Sequence, residues 1–127
     1  LANPSVAESG IDFGEDVTVT PKVHAHYTNT SGSVNMEIKL TGTGILRVGS
    51  TVAVDNSAYP AYSGSATTLK SPGTAWDYTG LENVQIEITC TGRPARFKFL
   101  RVAYVYLDVD YTAVSVANNS IFFGANF

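Results

Sequence analysis

At 127 residues the chain is long enough for one domain with its own core, without metals or a disulfide framework. Hydrophobic residues make up 44% and charged residues only 15%, below the roughly 25% of typical soluble domains, so Thr, Ser, Asn and Tyr must cover much of the surface. A net charge of -3 with no long run of either sign argues against nucleic acid and anionic membrane as partners, since both require a basic patch.

The opening "LANPSVAESG" has neither a basic leader nor an initiator Met, which points to a processed chain or a piece of a longer one. Further on, "GIDFGED" places Ile11 and Phe13 in an apolar N-terminal arm spanning residues 1–15. "DVTVTPKVHAHYT" then alternates Val17, Val19, Val23, Ala25 and Tyr27 against Thr18, Thr20, Lys22, His24 and His26, a strand period. Pro21 interrupts the ladder and predicts an edge or a bulge. After the turn "NTSGS", "VNMEIKL" puts Val34, Met36, Ile38 and Leu40 inward, and the two runs read as a hairpin.

From Thr41 to Tyr78 the signals are shorter. "GILRV" and "TVAV" read as brief strands separated by "GS", "DNSAYPAYSGS" as a loop, "ATTLK" as another short strand, and "SPGT" as a turn. "GLEN" suits a single helical turn or tight bend. "ENVQIEITC" is a strand with Val84, Ile86, Ile88 and Cys90 in phase, and Cys90 reads as a small buried hydrophobe. The long "ARFKFLRVAYVYLDVDYT" follows. Val105, Leu107, Val109 and Tyr111 face one way and Tyr104, Tyr106, Asp108 and Asp110 the other, while Phe97 and Phe99 oppose Leu100 and Val102. A bulge between Arg101 and Ala103 would reconcile the two halves; the alternative is a segment covered on both faces. Many short strands without helical segments predict an all-β fold, a single antiparallel jelly-roll-like sandwich of about eight strands spanning residues 16–112.

The order "SPGTAWDYTGLENVQIEI", then "RFKFLRVAYVYLDVDYT", resembles a β-sandwich pattern of phage virion proteins (decoration or tail-associated) and extracellular repeat modules. It covers about residues 71–112, with Trp76, Leu81, Val84, Ile86, Val105, Tyr106, Val109 and Tyr111 in the matching places. The resemblance implies a buried Trp76 and a role in decoration, adhesion or carbohydrate binding.

No nucleophile elbow, phosphate-binding glycine loop or zincin helix occurs, so the sequence gives no catalytic residue and no cofactor. His24 and His26 share a strand face and could offer two metal ligands, but spacing fixes no third, and the reading is no metal. Asp108 and Asp110, also on one face, are read as solvated neighbours rather than a glycosidase pair. Asn29-Thr30-Ser31 and Asn118-Asn119-Ser120 match the glycosylation sequon, which matters only in a eukaryotic secretory setting. Tyr59, Tyr62 and Tyr78 lie in or beside loops, where rings could stack on sugar, and support a carbohydrate-binding or adhesion module as the second reading.

The stretch after Thr112, "AVSVANNSIFFGANF", spans residues 113–127 and carries Ile121, Phe122, Phe123 and Phe127. Either these cap the same domain, or they form an arm that docks on a neighbouring subunit. The expectation favours the arm, with Ile11 and Phe13 as further anchors, in a non-enzymatic structural protein of a virion. Its partners would then be copies of itself or a scaffold such as the major capsid or tail protein. A cell-surface location with a glycan partner goes with the second reading.

Overall fold

The computed structural model describes residues 10–46 and 48–114. Eight strands and one short helix follow in the order β1 (Thr18–Tyr27), β2 (Val34–Thr41), β3 (Val48–Val54), β4 (Ala61–Ser63), β5 (Leu69–Ser71), β6 (Thr74–Ala75), α1 (Tyr78–Asn83), β7 (Gln85–Cys90) and β8 (Leu100–Asp110). The fold is all-β, with every strand pair antiparallel. One three-stranded sheet has the order β4-β1-β8, a second has β3-β2-β7, and β5-β6 forms a separate ribbon.

The two larger sheets pack through the faces that the period-two pattern made apolar. Val23, Ala25 and Tyr27 of β1 meet Val34, Met36 and Ile38 of β2 and Val54 of β3 in one cluster. Val17 and Val19 join Leu40 and Trp76 in a second, against which Ile11, Phe13, Ile45, Leu81 and Leu107 pack. Trp76 is buried, and its indole Nε1 donates to the Thr67 carbonyl at 3.0 Å, which satisfies the one polar atom such a ring carries. Asp77 caps α1 by accepting from Gly80 N at 2.7 Å, and Lys70 reaches the same carboxylate at 2.7 Å.

Several expectations are corrected. β1 and β2 are not a hairpin: residues 28–33 carry the chain from one sheet to the other, and the true hairpin partner of β2 is β3. "GS" does not divide two strands but lies inside β3. Pro21 sits in the centre strand rather than at an edge, paired opposite Leu107. Its carbonyl accepts from Gly64 N at 2.8 Å, so its missing donor also faces the β4 side, where the ladder lapses between Ser63 and the Val19–Thr67 bridge.

The last strand begins at Leu100, not near Ala95, because Phe97 adopts φ 62° and Lys98 N closes a turn onto the Ala95 carbonyl. The bulge is found where the phase change required it. His24 pairs with Tyr104 and Ala25 with Val102, so Ala103 has no opposite number. Cys90, expected inside, is exposed, because it ends β7 at the outer edge of its sheet.

Candidate functional site

The outward face of the β4-β1-β8 sheet carries a row of rings. His24 and Tyr104 are direct cross-strand partners, and their rings stack with centroids 4.2 Å apart and planes 16° from parallel. Tyr106 continues the row 6.2 Å from Tyr104. On the next outward position of β1, His26 stacks on Tyr59 at 5.1 Å.

Both histidines are held by the loop that follows β3. Carbonyl oxygens can only accept, so His24 Nδ1 carries the proton it gives to Tyr59 O at 2.9 Å, and His26 Nδ1 the one it gives to Ser57 O at 2.9 Å. The loop is itself braced. Tyr27 N donates to the Asp55 carbonyl, Asn56 Nδ2 donates to the Tyr27 carbonyl, and the Asp55 carboxylate accepts from Ser57 N at 2.9 Å. Hydrogen bonds from Ser57, first its side chain and then its backbone, hold the Asp55 carboxyl below its ordinary value. Tyr59 adopts φ 50°, a left-handed conformation that costs a tyrosine energy and persists only where the surroundings fix it. Beside the His26–Tyr59 pair lies an open polar depression lined by Thr30, Gly32, Asp55, Asn56 and Ser57.

The same sheet ends in an apolar edge. Among the described residues β8 is paired only with β1, which leaves its outer backbone edge open. Val102 and Val105 face inward, opposite Ala25 and Val23, yet each remains 42% exposed. Outward, Tyr104 is 57% and Tyr106 43% exposed, and just before the strand Phe97, with the Arg96 guanidinium 4.8 Å over its ring, and Phe99 are exposed as well. A long, apolar, two-sided edge strand is rare in a protein that works as an isolated monomer.

The residues singled out in the sequence fall in different places. Tyr59 belongs to the ring row. Tyr62 does not: it lies opposite the inward-facing Val23, packs half-buried against the core, and its hydroxyl accepts from Asp55 N. Tyr78 is half-buried on α1, with a hydroxyl that finds no hydrogen-bond partner among the described residues; burial and the Glu82 carboxylate push its pKa up. The three tyrosines therefore make no common platform. Ile11 and Phe13 are turned onto the core, and Ile11 bridges Ala113, so this part of the N-terminal arm is committed to its own domain. Ile121, Phe122, Phe123 and Phe127 lie outside the described residues. Asp108 and Asp110 are exposed on the outer face of β8, with Arg101 on that same face beyond the bulge. No three metal-ligating side chains converge among the described residues, and no described helix is long and apolar enough to cross a membrane.

Sequence reasoning missed the ring row, although both halves of its signal were present. H-x-H in β1 and Y-x-Y in β8 each place two rings on one face, but neither run says that these strands are neighbours. The chain matches no family model, no curated protein and no solved structure, so its site is read from its own geometry.

Proposed function

We propose that this chain is a non-enzymatic structural subunit of a larger assembly: a virion component of the capsid-decoration or tail-associated kind. Its body is a jelly-roll-like sandwich, and its partners are copies of itself or the major capsid or tail protein. The observation that carries the reading is the open edge of β8, with inward Val102 and Val105 and outward Tyr104 and Tyr106 uncovered along one strand. The virion setting rests on the resemblance over residues 71–112. Because Ile11 and Phe13 are occupied within the domain, docking by terminal arms falls to Ile121, Phe122, Phe123 and Phe127.

The test is the sedimentation of the full chain across a wide concentration range, beside the same chain with Phe122 and Phe123 replaced by Asp. The reading expects a defined oligomer whose mass falls in the Asp variant. A full chain that stays monomeric and sticks to no scaffold protein overturns it.

A second reading, an adhesion module for sugars, is favoured by one specific arrangement. The His26–Tyr59 rings stand beside the depression lined by Asp55, Asn56, Ser57 and Thr30, so apolar faces and fixed hydrogen-bonding groups lie side by side. Retention on a glycan array, abolished by Tyr59→Ala and unchanged by Tyr78→Ala, would establish it.

A further inference from the structure

We propose that two copies of this chain join edge to edge through β8, antiparallel about a two-fold axis at Val105, to form one six-stranded sheet. The inference rests on the assembly reading and names its contact.

Strand β8 breaks its alternation at one point. Arg101 and Tyr104 lie opposite His26 and His24, both on the outward face of β1, although they are three positions apart in β8. Side chains alternate strictly along a regular strand, so any new neighbour of β8 must also pass over one residue, and Ala103 is the one already skipped. With that skip built into both strands, an axis at Val105 fixes every pair. Val105 meets Val105 of the second copy, and Tyr104 meets Tyr106. Beyond the bulge, Val102 meets Leu107, Arg101 meets Asp108, and Leu100 meets Val109.

Each of these pairs is chemically matched; every antiparallel register sets inward positions against inward ones, so the outward pairs choose among registers. Inward positions meet inward apolar side chains, so the half-exposed Val102 and Val105 are covered by Leu107 and Val105. Outward, ring meets ring, and the exposed guanidinium of Arg101 meets the exposed carboxylate of Asp108, twice over by symmetry. An axis shifted to Tyr104 would set Arg101 against Tyr106 and leave Asp108 with no strand residue opposite. One shifted to Tyr106 would keep an opposite-charge pair, Arg101 with Asp110, but would set the Tyr104 ring against Asp108 twice over, so the ring-to-ring contact is what favours Val105. The Val105 axis also pairs nearly the whole of β8, supplying partners for its open backbone groups, and it contains no proline to break the new ladder. Its product on the outer face is a ring row that runs across the junction from one copy into the other.

Charge reversal tests the pairing directly. In Arg101→Asp, positions 101 and 108 are both acidic; in Asp108→Arg both are basic. Each variant should weaken self-association on the order of a hundredfold, because two like-charged pairs replace two opposite ones. Mixed one to one, they should form a heterodimer as tight as the unaltered protein, since both cross-pairs become complementary again. In full chain carrying Cys90→Ser, Val105→Cys should give a disulfide-linked dimer on mild oxidation, because directly opposed strand positions lie within bridging distance. Oligomers that survive both reversals and give no Val105→Cys crosslink would overturn the β8 contact while leaving the assembly reading in place. A full chain that never self-associates would overturn the contact, and the scaffold arm of the assembly test would then decide the broader reading.

Discussion

His24 and Tyr104 face each other across the β1–β8 ladder with ring centroids 4.2 Å apart, one residue away from the bulge at Ala103. The stack therefore fastens the edge strand where its backbone pairing is irregular. Replacing Tyr104 with Ala should lower stability by about 0.5–1.5 kcal/mol beyond the small area lost, and it should speed hydrogen exchange around the bulge first. A double-mutant cycle with His24→Ala isolates the ring pair; additive effects would mean that the stack contributes nothing.

Gly64 is confined by its neighbours rather than by its backbone angle. A Cβ there would lie 2.6 Å from Pro21 Cγ and 3.0 Å from Ile38 Cγ2, in the region between the two sheets. Gly64→Ala should cost about 1–3 kcal/mol in urea unfolding, because two buried side chains must move. At Gly73, where φ is 73° and the space is open, Ala should cost about 1–2 kcal/mol by backbone strain alone.

Trp76 is the chain's single tryptophan and ties the β5-β6 ribbon to the core cluster of Val17, Val19 and Leu40. Its fluorescence should report a buried indole and shift red only on global unfolding. Trp76→Ala should remove about 3–5 kcal/mol, a large share of the roughly 5–15 kcal/mol that holds a domain folded, and should lower its urea midpoint accordingly. Trp76→Phe should keep the fold and lose less, mainly the bond to Thr67 O and part of the packing.

Asp77 links acidity to stability. The hydrogen bond from Lys70 holds its carboxyl below the ordinary 3.8, against a burial effect that pushes the other way. The folded state thus binds the proton less well than the unfolded chain. The resulting stabilisation is fully present above the unfolded value and fades as pH falls through the depressed one. Urea midpoints measured from about pH 5 down to about pH 2 should fall more steeply for the unaltered chain than for Asp77→Asn. Asn still caps α1 but carries no charge to lose. The carboxylate is half-exposed, so added salt should shrink the difference.

The parts of the fold legible in the sequence are those decided within one strand. The alternation from Val17 to Tyr27 gave the buried face of β1 residue by residue, and the phase change between Leu100 and Val105 located the bulge. What failed depended on which strands are neighbours. Nothing in β1 or β2 shows that six intervening residues lead to the other sheet, and nothing around Pro21 shows that the ladder beside it has a gap at Gly64. Cys90 was misjudged for the same reason: its phase is inward, opposite Met36, but strand order makes β7 an edge and Cys90 its exposed last residue. The site followed the same rule. His24 and Tyr104 are eighty positions apart in the chain and meet only through pairing.

The shortness of β4 limits how far such a sheet can grow. β4 pairs with β1 through Ala61, Tyr62 and Ser63 alone, the ladder lapses past Gly64, where Pro21 offers no donor, and a single isolated bridge, Val19–Thr67, follows. An edge of three residues is a poor template for a further strand. A sheet extended across β8 would therefore have a blunt β4 margin at each end. Growth would halt at a closed pair, and the geometry that invites one neighbour denies a filament its second.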